Sequence, residues 1–124
     1  MYPHTVTVIN QINVKGRLLT YYKELQGVLY QDKQGVRTGD TSVTTDNQGY
    51  VQIPKSVGGY LPPKQYAKLT DKSNNWTIKE NDFIVKGSHV GIPLDDLDNV
   101  RTIVSDEDID YGIVIPPHYG VYLK

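Results

Sequence analysis

The feature that most constrains this chain is how often its apolar pattern is interrupted. Apolar and polar residues alternate for five or six positions, and each run then meets Gly, Pro, Asn or Asp. Residues 4–9 (HTVTVI) alternate with a period of two, the period of a half-buried strand. Residues 17–22 and 27–31 (GVLYQ) read as two further short strands about a polar turn at 23–26. Residues 50–54 (YVQIP) alternate again and stop at Pro54. Residues 75–87 (NWTIKENDFIVKG) read as a β-hairpin. Trp76 and Ile78 would sit in its first arm, 79–82 in its turn, and Phe83 and Val85 in its second arm. Residues 100–104 and 119–123 supply the last two strands, separated by an acidic stretch and Pro116-Pro117.

Helical signal is almost absent. Gly58-Gly59 reads as a flexible break, and Pro62-Pro63 can open one short helix reaching Leu69, because Pro is tolerated in a first turn. About eight short strands and at most one short helix predict an all-β fold, a small β-barrel or sandwich with long inserted loops. The 124 residues fit a single domain over 1–124. Two insertions stand out, at about 32–49 and 88–99. The first, DKQGVRTGDTSVTTDNQG, carries Gly35, Gly39 and Gly49 and only Val36 and Val43 as apolar residues. Too little of it can be buried to hold it in a monomer, so it is expected to project as a mobile loop. Loop-closure entropy rises slowly with length, so a barrel tolerates such an insertion. Trp76, Ile78, Phe83 and Val85 are the candidate core residues.

The inventory of reactive groups points away from catalysis. With no Cys there is no disulfide, thiolate nucleophile or thiolate-bound zinc, which fits a protein that folds in a cytosol. His4, His89 and His118 lack metal-ligand spacing. No GxSxG, HExxH or Gly-rich phosphate loop is present. No catalytic residue, cofactor or metal is therefore expected. Seven of the fourteen acidic residues fall at Asp95, Asp96, Asp98, Asp106, Glu107, Asp108 and Asp110. SDEDIDYG resembles a calcium loop only briefly. Counted from Asp106, the sixth and twelfth positions are Tyr111 and Pro117, where an EF-hand needs Gly and a bidentate Glu. A solvated loop is the plain reading of this stretch. An acidic wall past which DNA slides by phosphate repulsion is another, and a chance divalent site a third.

The formal net charge of −1 and the scattered basic residues do not describe a domain that binds nucleic acid by bulk charge. No apolar run approaches the roughly 20 residues of a membrane-spanning helix, and the N-terminus lacks a signal-peptide pattern. Ten Tyr stand against one Trp and one Phe. Tyr suits half-buried sheet positions and is also enriched at protein–protein surfaces, and both readings stay open.

Several stretches resemble the minor capsid or head–tail connector proteins of tailed phages and prophages of Gram-positive bacteria. They are YPHTVTVIN, GVLYQDKQGV, VQIPKSV and YLPPKQYAKLTDKSNNWTIKENDFIVKG, with DNVRTIVSDEDIDYG as a looser match. The likeness covers roughly the first 112 residues. The family's late segment carries a Trp, whereas this chain ends IVIPPHYGVYLK. The resemblance implies a head-closure subunit of the virion neck, assembled in the host bacterial cytoplasm. It implies a homo-oligomeric ring, commonly of six subunits, between the portal or adaptor ring and the tail proteins. Genomic DNA would pass through the lumen without sequence-specific binding. Lys33, Arg37, Asp40 and Asp46 in the long insertion are then the candidate channel or interface residues. Two alternatives remain at this stage. One is a tail-terminator or tail-joining protein of the same particle, a class that looks α+β. The other is a carbohydrate-binding β-sandwich that uses surface Tyr.

Overall fold

The structure is a computed structural model, and it describes residues 3–32, 49–109 and 117–124. Its strands are β1 (His4–Val14), β2 (Arg17–Asp32), β3 (Gly49–Pro54), β4 (Phe83–Lys86), β5 (Arg101–Ile109) and β6 (His118–Leu123), with one helix, α1 (Pro63–Ala67). The strands close into an antiparallel barrel in the order β1-β2-β3-β6-β5-β4. The candidate loop residues Lys33, Arg37, Asp40 and Asp46 lie outside the described residues.

The first hairpin explains why β1 runs past the expected end at Ile9. Val14 pairs with Arg17, so Lys15 and Gly16 form a two-residue turn. Both have positive φ, 52° and 80°, the type I′ geometry that matches the natural twist of two strands. Asn13 Oδ1 accepts the Gly16 N–H at 3.1 Å and steadies the turn.

The all-β class holds, but the strand count falls from about eight to six among the described residues, for two reasons. The expected strands at 17–22 and 27–31 are halves of β2. Residues 23–26 are no turn: Lys23 pairs with Val8, Glu24 with Thr7, Leu25 with Val6 and Gln26 with Thr5. Gly27 is stepped over, since the next pair is His4 with Val28. Its φ of 79° marks a bulge that bends the strand without ending it. Second, 75–87 is not a hairpin. β4 pairs with β1 and β5, while Trp76 makes only an isolated parallel bridge with Tyr60. The expected turn does form, with the Asp82 N–H bonded to the Lys79 carbonyl at 3.0 Å. Barrel closure claims both edges of β4, so nothing is left to receive the first arm.

The core follows strand alternation. Val6, Val8, Leu25, Val28, Val51, Ile53, Ile84, Ile103, Val121 and Leu123 project inward, and Trp76 and Ile78 enter from the connection before β4. Burial of one such side chain contributes ~1.5–3 kcal/mol. Trp76 is 1 % exposed and Ile78 3 %. Phe83 is only half-buried, because Ile84 pairs with Val8 and takes the inward position. Val85 is buried, but on the outer face, where it pairs with Thr7. Thr7 donates to the Gly87 carbonyl (2.8 Å) and accepts the His89 N–H (3.0 Å), which pins the chain after β4 over that face. A barrel of about eight strands is just wide enough for side chains to fill it, so this narrower one is a packed block and not a conduit.

Candidate functional site

The strand directions define two ends. The upper end holds the start of β1, the end of β2 and the end of β4. The lower end holds the β1–β2 hairpin, the start of β6 and the far half of β5. Both ribbons overrun the barrel there, and the groups with perturbed chemistry gather between them.

Among the described residues the acidic stretch is solvent-exposed, as the plain reading has it, but only Asp95, Asp96 and Asp98 lie in a connection between strands. Asp106, Glu107 and Asp108 belong to β5 and pair with Val121, Gly120 and Tyr119 of β6. Register shifts between Ile103 and Ser105, so Val104 is bulged out and the alternation changes phase. Asp106 and Asp108 therefore share the face of Val121 and Tyr119, the core side, while Glu107 shares the outer face with Tyr122. Without the bulge the two aspartates would point away.

Beside them Tyr60 and Tyr119 form a ledge over Trp76. The Tyr60 and Tyr119 ring centres lie 4.5 Å apart, and Trp76 meets them edge-on at 5.3 and 6.3 Å. Gly58 and Gly59 seat this cluster instead of acting as a flexible break. Trp76 Nε1 donates to the Gly58 carbonyl at 2.8 Å, and the Trp76 N–H donates to the Gly59 carbonyl at 3.0 Å. Lys55 Nζ lies 5.2 Å from the Tyr119 ring centre and 2.6 Å from Asp108 Oδ1.

Loss of water on the sheet side, helped by the Asp108 charge, raises the Asp106 carboxyl above the ordinary carboxylate range. Burial raises the Tyr60 hydroxyl, and the Asp106 charge adds to it. Burial also raises Tyr119, against the opposing pull of Lys55. Two half-buried aromatic faces, two carboxylates and one ammonium can hold a polar, flat ligand or a cationic side chain. They do not form a nucleophile–base pair. The outer face of the same ribbon carries a second aromatic pair. Tyr50 and Tyr122 lie 4.9 Å apart, and Tyr122 Oη donates to Glu107 Oε2.

The histidines serve the fold. His4 Nδ1 accepts the Tyr30 N–H at 3.0 Å, the His89 ring lies 3.0 Å from the Lys86 carbonyl, and His118 is buried in β6. Among the described residues no cluster of acidic or imidazole groups is placed to hold a metal, and no helix is long and apolar enough to cross a membrane. Sequence reasoning singled out Trp76 and the acidic run but missed Tyr60, Tyr119 and Lys55. Alternation in SDED was the available signal for Asp106 and Asp108; the Val104 bulge that aims them has none.

By fold the chain is a small closed all-β barrel. It belongs to a family of unknown function, DUF6751, whose model matches residues 1–123. No curated protein and no solved structure matches it.

Proposed function

We propose that this chain is a non-catalytic structural subunit of a ring in the neck of a tailed phage, the head-closure position between portal or adaptor and tail. The observation that carries the reading is a filled, closed barrel whose first hairpin overruns it and presents apolar side chains to solvent. Val14 is 41 % and Leu18 60 % exposed in that hairpin. Exposed apolar groups on a projecting ribbon suit docking to another subunit. Because the barrel interior is packed, DNA would have to pass between subunits, through the lumen of a ring. The one α-helix among the described residues, five residues long, also weighs for head closure over a tail terminator.

The test is composition and shape. Particles produced from a genome that carries this gene should contain the chain at the neck, by mass spectrometry and by labelling seen in electron microscopy. Mature particles without it would end the proposal. The Tyr60–Tyr119 ledge beside Asp106 favours a second reading, a carbohydrate-binding module. Glycan-array binding that is lost in Tyr119→Ala would support that reading instead.

A further inference from the structure

The two ends of the β1–β2 ribbon are complementary. At the lower end the hairpin tip carries Lys15 and Arg17 between the exposed Val14 and Leu18. At the upper end the segment after β4 folds back over the barrel and leaves a cleft of about 730 Å³. Tyr30, Ile92 and Leu97 give it apolar walls, and Asp96 and Asp98 give it carboxylates. The segment is built to keep that shape. Thr7 anchors Gly87 and His89, and a 3₁₀ turn (Leu94–Asp96) is closed by the Asp96 N–H on the Pro93 carbonyl at 2.9 Å. Among the described residues neither the tip cations nor Asp95, Asp96 and Asp98 make an ion pair. The cleft's own cation, Lys86, lies 5.8 Å from the Tyr30 ring centre.

A chain cannot bring these two surfaces together on itself. Val6, which pairs with Lys86 at the cleft, and Val14 at the tip are separated by eight steps of one strand, or about 27 Å in extended chain. The tip of one copy can reach the cleft of another. Each copy then keeps one free tip and one free cleft, so the contact is heterologous and propagates until it closes.

We propose that this protein assembles head to tail with a second copy of itself, the β1–β2 tip of one subunit seated in the upper cleft of the next. Val14 and Leu18 meet the apolar walls, and Lys15 and Arg17 meet Asp96 and Asp98. The proposal rests on the ring reading above only for closure, not for the place in a virion.

Charge reversal tests it. Lys15→Glu/Arg17→Glu and Asp96→Arg/Asp98→Arg should each weaken self-association more than tenfold in sedimentation equilibrium. An equimolar mixture of the two variants should restore it, because every tip then meets a cleft of opposite sign; misfolded variants could not do this. The chain has no cysteine, so Leu18→Cys and Asp98→Cys proteins, mixed and oxidised, should form a mixed disulfide. Leu18→Cys with Ser56→Cys, at the lower end, should not. Association unchanged by either reversal, no rescue on mixing, or a wild-type chain that stays monomeric with no crosslink overturns the contact. Closed wild-type rings without the crosslink overturn this contact and leave the ring reading standing. Crosslinked open filaments keep the contact and sink the ring.

Discussion

Asn10 Nδ2 donates to Asp82 Oδ2 at 3.0 Å, and each of the two residues is 1 % exposed. The pair joins the middle of β1 to the turn before β4, 72 residues away in sequence. Asn10 also donates to the Thr77 carbonyl (2.9 Å) and accepts the Thr77 N–H (3.2 Å). Asp82 Oδ1 accepts from the Gln11 N–H and from Lys79 Nζ. This network takes the place of a β-ladder. Residues 76–78 have no strand partner beyond one bridge, and Asn10 satisfies the buried backbone of Thr77.

Removing either side chain leaves buried polar atoms of the network without a partner: Asp82 Oδ2 and the Thr77 backbone lose Asn10, or one Asn10 N–H loses Asp82. Asn10→Ala and Asp82→Ala should each cost about 1–3 kcal/mol, the penalty for buried polar groups left unpaired. The double variant should lose less than the sum, because the partners share one network. Urea midpoints of the three variants measure this. Additive losses would mean the two residues act independently.

Trp76 fills the lower half of the core, and Trp76→Ala should cost about 3–5 kcal/mol. A loss under about 1 kcal/mol would remove Trp76 from the core. Gly59→Ala tests the seat under the ring. Gly59 has φ +87°, and an added Cβ would lie 3.0 Å from the Asn74 carbonyl oxygen and 3.2 Å from the indole. The left-handed backbone alone costs an alanine about 1–2 kcal/mol. Gly59→Ala should shift the emission of Trp76, the one tryptophan of the chain, whereas Gly16→Ala should leave it unchanged.

Burial raises the Tyr66 hydroxyl to about 12, with smaller contributions from Tyr21 and Asp82. Tyr66 keeps its proton in the fold when an unfolded tyrosine, at 10, has lost it. Between pH 10 and 12 the unfolded state binds fewer protons, so stability falls as pH rises. Tyr66→Phe should flatten that fall in alkaline denaturation curves. It should also remove a phenolate that titrates near pH 12 from the ultraviolet difference spectrum.

Asp106 shows the same sign at the acid end. Its carboxyl is raised, so the folded state holds the proton more tightly than the unfolded chain. Its contribution is full below the unfolded value and is lost as pH rises through the folded one. Asp106→Asn should therefore stabilise the protein at neutral pH and give no gain in strong acid. A stabilisation of equal size at both pH values would trace the effect to something other than the charge.

Local pattern carried a good part of this fold. YVQIP alternates, and Val51 and Ile53 point inward with Tyr50 and Gln52 outward. The polar turn at 79–82 is where it was expected, and the helix opening at Pro62-Pro63 is as short as its weak signal. Where reading failed, the cause was a partner distant in sequence. Polar Lys23 and Glu24 look like a turn because a strand position facing Val8 and Thr7 leaves no mark on a four-residue window. The same holds for the acidic run in β5, whose exposed side chains read as a loop unless β6 is known to lie beside it.

Sequence by itself determined the all-β class and the place of Trp76 in the core, because alternation, turn residues and apolar spacing are properties of neighbours along the chain. Only the tertiary structure decided that Gly27 and Val104 are bulges within continuous strands. It also decided that Trp76–Thr77–Ile78 is held by Asn10 and Asp82, and that Asp106 and Asp108 turn toward Tyr60 and Tyr119. Each of these depends on which backbone lies alongside, and a one-residue slip in that register moves every side chain to the opposite face. Register is settled by closing the whole barrel at once, a condition no local window contains.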